Sequence, residues 1–189
     1  MIINLRGTSG SGKSTIVHQL LKKYPFEPIP AVMKSTLFGS EPVGKPLGYQ
    51  YGKVRVVGGY TTVCGGCDGI ATQDEVEQRV RSWYGEGCHV LFEGLLISHI
   101  YSRWCGVAKD CQPFLFLFLD TSLEVCLERV LKRRAERGND KPLNKKNTVQ
   151  KWNDARRVFQ KAVEDGLSAE WVNAKQALQR IEHEFGLQR

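Results

Sequence analysis

The sequence predicts a three-layer α/β fold, in which helices cover both faces of a central, mostly parallel sheet of five strands. Short apolar segments alternate along the chain with amphipathic ones, as in strand–helix repeats. The run Phe114–Leu119 is apolar throughout, which is typical of a strand covered on both faces. No linker divides the 189 residues, so we expect one domain over residues 1–189, with a β-hairpin and a basic lid added.

Apolar or alternating runs that end at glycine, proline or polar clusters predict the strands. A hairpin with its turn at Gly52 is expected from two short runs that are rich in tyrosine and valine. The remaining predicted strands are short. The strands are Ile2–Arg6, 49–51, 53–57, 88–93, 113–119 and 169–172.

Apolar residues at helical spacing predict the helices, as with Ile16, Val17 and Leu20 in the first of them. The segment 26–48 is rich in proline and glycine and is assigned no element. The predicted helices are 14–23, 73–84, 95–104, 122–137, 148–164 and 173–185.

Positive charge is concentrated in one segment of a chain whose net charge is +7. Between residues 129 and 146, only Glu136 and Asp140 oppose the basic side chains. This favours a phosphate-rich partner, either a nucleotide or a nucleic acid, although a solvated helix face would have the same composition. The basic residues are Arg129, Lys132, Arg133, Arg134, Arg137, Lys141, Lys145 and Lys146.

The apolar runs are too short to span a membrane, and no basic segment precedes a hydrophobic one near Met1. We therefore expect a cytoplasmic protein with no membrane partner, whose six cysteines are free thiols. Cys64 and Cys67 have the spacing of a zinc knuckle or a redox pair. Cys105 and Cys111 would form a poor second zinc pair, and metal binding by Cys64 and Cys67 stays open.

The segment 7–14 fits the pattern G-x-x-x-x-G-K-[ST], with a predicted strand before it and a helix after it. Such a loop points backbone amides at phosphate oxygens, and the helix N-terminus adds positive charge at the same point. Lys13 would contact the β- and γ-phosphates, and the Ser14 hydroxyl is a ligand that suits Mg²⁺. The expected nucleotide-binding residues are Gly7, Thr8, Ser9, Gly10, Ser11, Gly12, Lys13, Ser14 and Thr15.

This loop resembles that of the P-loop NTPase superfamily, and the chain is most similar to its branch of small nucleoside, nucleotide and polynucleotide kinases. The resemblance implies a P-loop kinase fold, ATP and Mg²⁺ as cofactors, and a mobile lid at about 133–147. It implies that one or more of the lid arginines contact the transferred phosphoryl group. The lid arginines are Arg133, Arg134 and Arg137.

The same resemblance implies two roles for carboxylates. Asp68, in the glycine-rich segment 58–69, would accept the proton of the acceptor hydroxyl, although a turn or helix-cap aspartate is the alternative. Glu93 ends a predicted strand and would hold Mg²⁺ through water, or would itself be the base.

The acceptor is less well determined. Thymidylate kinases have an Asp-Arg pair after the corresponding strand, whereas Glu93-Gly94 ends the strand at 88–93 here. This difference disfavours an ordinary nucleoside monophosphate kinase. The glycine-rich segment, the lone Glu93 and the small size are similar to those of phage-encoded kinases that phosphorylate 5-hydroxymethyluracil within DNA. Tyr49, Tyr51 and Tyr60 are candidates to stack on an extruded base, or else they pack across the hairpin.

Two other functions stay open at this point. One is a kinase for a free nucleotide, a nucleoside or another small hydroxyl compound, and the other is an ATPase or switch that transfers nothing. The sequence leaves the oligomeric state and the choice between ATP and GTP undetermined.

Overall fold

A computed structural model describes residues 1–36, 39–62, 65–139 and 142–187. Its helices and strands alternate along most of the chain. The elements are β1 (Ile2–Arg6), α1 (Lys13–Lys23), β2 (Glu27–Ile29), β3 (Val32–Thr36), β4 (Gly39–Val43), β5 (Gly48–Tyr51), β6 (Val54–Val57), α2 (Gln73–Gly85), β7 (His89–Glu93), α3 (Ser102–Asp110), β8 (Phe114–Leu119), α4 (Leu123–Glu136), α5 (Lys145–Glu164), β9 (Ala169–Val172) and α6 (Ala174–Glu184).

The central sheet has the strand order β2-β5-β6-β7-β1-β8-β9. The five strands from β6 to β9 are parallel, which confirms the predicted parallel sheet. The predicted hairpin is β5–β6, and β6 is itself one of the five parallel strands. Strands β5 and β2 then extend the edge in antiparallel pairing, so the sheet has seven strands. Strands β3 and β4 pair antiparallel in a separate two-stranded sheet, within the segment for which the sequence predicts no element.

The strand β8 shows why the sheet needs two covering layers. Phe114, Phe116 and Phe118 pack into the core on the face covered by α2, α3 and α5, together with the buried Trp104. The intervening leucines pack on the opposite face against α1 and α6. Because alternate side chains of a strand point to opposite faces, a fully apolar strand fills both cores, as the sequence predicted.

The predicted helix at 95–104 is wrong. A short 3-10 turn, Ile97–His99, occupies its middle, and α3 begins only at Ser102 and continues to Asp110. Contacts from distant residues hold this connection: the Asp68 carboxylate accepts the Leu95 amide, and the Arg6 guanidinium donates to the Ile100 carbonyl. The other predicted helices are confirmed within three residues at each end.

The carboxyl ends of β1, β6, β7 and β8 meet at one edge of the sheet, where ligands bind in open α/β folds. In the register of β1 and β7, Leu5 lies opposite Glu93, so Glu93 lies beside the start of the loop that follows β1. Within the described ranges, none of the helices has the length and hydropathy that a membrane crossing requires.

Candidate active site

The loop between β1 and α1 has a backbone that depends on glycine. Gly10 and Gly12 have φ values of 82° and 104°, in the left-handed region. A Cβ atom on Gly10 would lie 2.4 Å from the carbonyl oxygen of Cys126 in α4. The loop is therefore pressed against α4, which leaves no room for a side chain at this position.

Lys13 begins α1, and its side chain lies inside the curve of the loop. It is 7% exposed, and its Nζ donates to the carbonyl oxygens of Gly7, at 2.8 Å, and Thr8, at 3.2 Å. Burial lowers the pKa of Lys13, while the carboxylates of Glu93 and Asp68 act in the opposite direction. A cation held here is positioned to contact phosphate oxygens enclosed by the loop.

Two hydroxyls of the loop fit a phosphate ligand. The Oγ1 of Thr8 and the Oγ of Ser11 are buried and have no hydrogen-bond partner among the described residues. Buried hydroxyls are normally paired, so these two are available to a ligand with oxygen acceptors. Ser9 and Thr15 lie on the more accessible side of the same loop and helix.

Glu93 ends β7 with its side chain 1% exposed. Its Oε1 accepts hydrogen bonds from the Ser14 hydroxyl, at 2.9 Å, and from the Tyr60 hydroxyl, at 3.3 Å. Burial raises the pKa of Glu93, although the positive charge of Lys13 opposes this. A hydroxyl and a carboxylate at this separation fit Mg²⁺, which prefers oxygen ligands and several waters.

Asp68 lies in a 3-10 turn, Cys67–Gly69, on the exposed side of the site. Its two carboxylate oxygens accept the Leu95 amide at 2.8 and 2.9 Å, and one of them accepts the Leu96 amide at 3.4 Å. Thr72, not Asp68, caps α2, and Asp68 instead holds amides of the connection that follows β7. A carboxylate that accepts two amides still has free lone pairs, so they do not prevent Asp68 from receiving a proton.

The connection that Asp68 holds also contacts the phosphate loop. Ser98, which is fully buried, donates to the Gly94 carbonyl at 2.8 Å and accepts the Gly7 amide at 3.3 Å. The segment 94–100 therefore joins Asp68 at one end to the loop around Lys13 at the other.

The lid arginines occupy the end of α4. Burial is the main cause of the lowered pKa of Lys13, and the positive charge of Arg133 adds to that lowering. The Arg134 guanidinium donates to Asn139 Oδ1 at 3.1 Å, and Arg137 is the exposed residue that caps α4. Of the predicted lid, residues 140 and 141 lie outside the described part of the chain.

Arg129, earlier in α4, makes a direct contact with the phosphate loop. Its Nη1 donates to the Gly10 carbonyl at 3.2 Å and lies 3.7 Å from the position of a Cβ atom on Gly12. The sequence placed Arg129 in the basic segment but not in the site. Its position one α4 turn before Arg133 is the signal that could have indicated it.

The candidate tyrosines pack within the protein. Tyr60 is 6% exposed, and its amide donates to the Tyr49 hydroxyl at 3.3 Å. Tyr51 stacks on Tyr24 with ring centroids 6.0 Å apart. Tyr49 and Tyr51 therefore contact the loop after β6 and the end of α1, and Tyr60 has a different place in the site, as a donor to Glu93.

The described cysteines are buried free thiols, and no group of three or more His, Cys, Asp or Glu side chains suited to a metal occurs in the ranges that the structure covers. Burial raises the pKa of Cys67 well above its ordinary value, which keeps the thiol protonated. Cys64 lies outside the described residues.

A cleft of about 480 Å³ opens on the other side of the Glu93 carboxylate. Gly66 and Asp68 are among the residues that line it. A Cβ atom on Gly66 would lie 2.6 Å from Glu93 Oε1, so this lining residue of the cleft also packs closely against the carboxylate. Gly66 and Glu93 thus connect the cleft to the phosphate loop, because Glu93 also accepts the Ser14 hydroxyl.

A parallel α/β sheet, a phosphate loop with an inward lysine and a hydroxyl–carboxylate pair define a P-loop phosphotransferase. The family model for 5-hmdU DNA kinase matches residues 1–168. The chain belongs to the 5-hmdU DNA kinase family.

Two relatives illustrate the likeness. The 5-hmdU DNA kinase of Pseudomonas phage PaMx11 is 40% identical over 154 residues, which cover 80% of this chain and 79% of that protein. The 5-hmdU DNA kinase of Pseudomonas phage M6 is 32% identical over 187 residues, covering 95% and 94%. A solved structure of deoxyadenosine kinase from M. mycoides overlaps with a TM-score of 0.48 and 12% identity, over 98% of this chain and 99% of that one.

Proposed function

We propose that this protein transfers the γ-phosphoryl group of ATP to the hydroxymethyl group of 5-hydroxymethyluracil within DNA. The observation that carries the proposal is the place of Gly66: it lines the cleft and packs against Glu93, which accepts the Ser14 hydroxyl of the phosphate loop. Family membership supports the choice of acceptor. The net charge of +7 suits a polyanionic substrate.

In the proposed reaction, the acceptor oxygen attacks the γ-phosphorus, and the bond from phosphorus to the β–γ bridging oxygen breaks to release ADP. The hydroxyl proton passes to the Asp68 carboxylate, which lines the cleft. Lys13 neutralises charge on the β- and γ-phosphates, and Arg133, Arg134 and Arg137 close over the transferred group. Ser14 directly, and Glu93 through water, would hold Mg²⁺, which supplies charge neutralisation at the phosphate oxygens.

We further propose that residues 1–189 form one kinase domain with a lid at about 133–147, and that it acts in the host cytoplasm. Both proposals extend the expectations drawn from the sequence.

The direct test offers Mg²⁺ and γ-labelled ATP with DNA that contains 5-hydroxymethyluracil, with the free nucleotide and with unmodified DNA. We expect label on the modified DNA and a mass increase of one phosphoryl group. Transfer to DNA should fall steeply as salt rises, whereas transfer to a small acceptor would change far less. Label on the free nucleotide alone, or only as inorganic phosphate, would contradict the proposal.

Substitution of each carboxylate tests its role. We expect Asp68→Asn to keep the KM for ATP and to lower kcat by roughly 100-fold or more, because proton acceptance is lost. Glu93→Gln should instead raise the Mg²⁺ concentration needed for half-maximal activity. Steady-state kinetics over a Mg²⁺ titration separates the two effects. An Asp68→Asn variant within a few-fold of wild type would make Glu93 the preferred base.

The burial of Glu93 also predicts a pH effect on stability. Burial raises the pKa of Glu93 in the folded protein, so the native state keeps the carboxyl proton at pH values above about 4.3, the pKa of an unfolded glutamate. The free energy of unfolding should therefore fall as pH rises from about 4.3 through the higher pKa of the folded state. Glu93→Gln should lack this pH-dependent loss of stability. Urea melts at pH 4 and pH 7 should show the variant gaining stability relative to wild type at pH 7. A difference that does not change with pH would refute the assignment.

A further inference from the structure

The cleft beside Glu93 has a second wall that the proposed reaction does not use. Its lining includes glycines of the segment 58–69 on one side and the first two turns of α2 on the other, with Lys45 and Leu47 between them. A volume of about 480 Å³ lies in the usual range for small-molecule sites. This is room for one nucleotide.

Two charged side chains of α2, Glu75 and Arg79, line this wall. They form an i,i+4 ion pair between Arg79 Nη2 and Glu75 Oε1, and the Thr72 hydroxyl caps the helix by accepting the Glu75 amide at 3.1 Å. Arg79 Nη1 donates to the Leu47 carbonyl at 2.9 Å, which fixes the guanidinium in place. Glu75 is 39% exposed and Arg79 16%, so solvent in the cleft reaches both.

The pair presents a hydrogen-bond acceptor beside hydrogen-bond donors. Uracil has a pairing edge of carbonyl, N–H and carbonyl, so its N3–H matches the Glu75 carboxylate and a neighbouring carbonyl matches the Arg79 guanidinium. At the same position cytosine has a bare nitrogen at N3, which would face the carboxylate with both groups accepting. Cytosine could donate its N4 amine to Glu75 only by shifting along its pairing edge, which would move its 5-hydroxymethyl group relative to Asp68. For a base whose 5-hydroxymethyl group lies at Asp68, the pair therefore favours uracil over cytosine.

The α2 pair lies near Asp68, the proposed proton acceptor. Asp68, Glu75 and Arg79 all line the same cleft of about 480 Å³. A base whose pairing edge meets α2 would therefore lie near Asp68. Its pairing edge is available to α2 only when the base is unpaired.

We propose that the cleft binds one extruded 5-hydroxymethyluracil base, and that Glu75 and Arg79 read its pairing edge. The proposal rests on the proposed function, since it concerns the acceptor side of the same site. Enzymes that modify a base within a duplex take it out of the stack, and a base that is already unpaired costs less to extrude.

The test compares kcat/KM on four synthetic DNAs. They are a single strand with 5-hydroxymethyluracil, the same base paired with adenine, the same base mismatched with guanine, and a single strand with 5-hydroxymethylcytosine. We expect wild type to favour the single strand and the mismatch over the matched duplex. We expect it to favour hydroxymethyluracil over hydroxymethylcytosine by roughly 10- to 100-fold, the size of a good pairing-edge contact.

Glu75→Gln is the diagnostic variant. A glutamine can turn its NH₂ group towards the bare nitrogen of cytosine, so the preference for uracil should fall by about tenfold or more. Arg79→Met should lower kcat/KM for both bases. The KM for ATP should stay unchanged in both variants. A general structural defect would change it.

The same helix supplies a matched control. Glu77 and Arg81 form an i,i+4 ion pair at 2.8 Å on α2 and do not line this cleft. Glu77→Gln should keep the wild-type ratio between the two bases. Equal ratios in Glu75→Gln and Glu77→Gln, or a wild type indifferent to pairing, would overturn the inference. Failure of wild type to phosphorylate any of the DNAs would instead refute the proposed function.

Discussion

Lys13→Ala is expected to abolish phosphoryl transfer and to leave the fold intact. The Nζ of Lys13 lies inside the phosphate loop, 2.8 Å from the Gly7 carbonyl, where it can neutralise charge on the transferred group. Loss of such a preorganised charge costs about a thousandfold or more in kcat. Single-turnover transfer with γ-labelled ATP measures the loss.

The stability of the same variant is a separate expectation. Burial penalises the lysine cation, as its lowered pKa indicates, so its removal should change the melting temperature little. Lys22→Ala, an exposed change in the last turn of the same helix, is the control and should retain full turnover. Near-normal transfer by Lys13→Ala would refute the assignment of the loop as the nucleotide site.

The second large effect is expected at Gly66. Its φ is +80°, and a Cβ atom would lie 2.6 Å from Glu93 Oε1 and 2.7 Å from the Glu93 carbonyl oxygen. Because one of these contacts is with backbone, Gly66→Ala must displace the segment or the end of β7. We expect a loss of about 2–4 kcal/mol in the free energy of unfolding, from backbone strain and overpacking together. Turnover should fall at least tenfold, since Glu93 moves from Ser14.

A neighbouring glycine provides the matched control. Gly69 ends the 3-10 turn that contains Asp68, and a Cβ atom there would meet no atom within 4 Å. Gly69→Ala should therefore change urea stability by less than about 1 kcal/mol and keep most of the activity. If both variants behave alike, the packing of Gly66 against Glu93 is not as rigid as its contacts imply.

The phosphate loop could be predicted because its signal is local. Its residues are adjacent in sequence, and their glycine, lysine and hydroxyl spacing is typical of loops that bind phosphate. The parallel sheet could be predicted for a related reason, since the unbroken apolar run of β8 records burial on both faces. Glu93 was also predicted, from its position at the end of an apolar strand.

The connection at 94–100 shows where local signals fail. Its composition suggests a helix, but Asp68 and Arg6, which lie 27 and 94 residues from their partners, hold it in another shape. Arg129 and the α2 pair are similar cases. In the sequence they look like ordinary charged residues of amphipathic helices, and only the fold places Arg129 at the loop and the α2 pair at the cleft.

By itself, then, the sequence determined the layered architecture and the phosphate-binding loop, because hydrophobic period and glycine spacing act over a few neighbouring residues. The tertiary structure alone decided that Ser14 and Glu93 meet across 79 residues, and that Gly66 packs against Glu93 while lining a cleft. Strand register and crossover connections set such contacts, and the free energy that selects them is shared by the whole packed core rather than by the residues that touch.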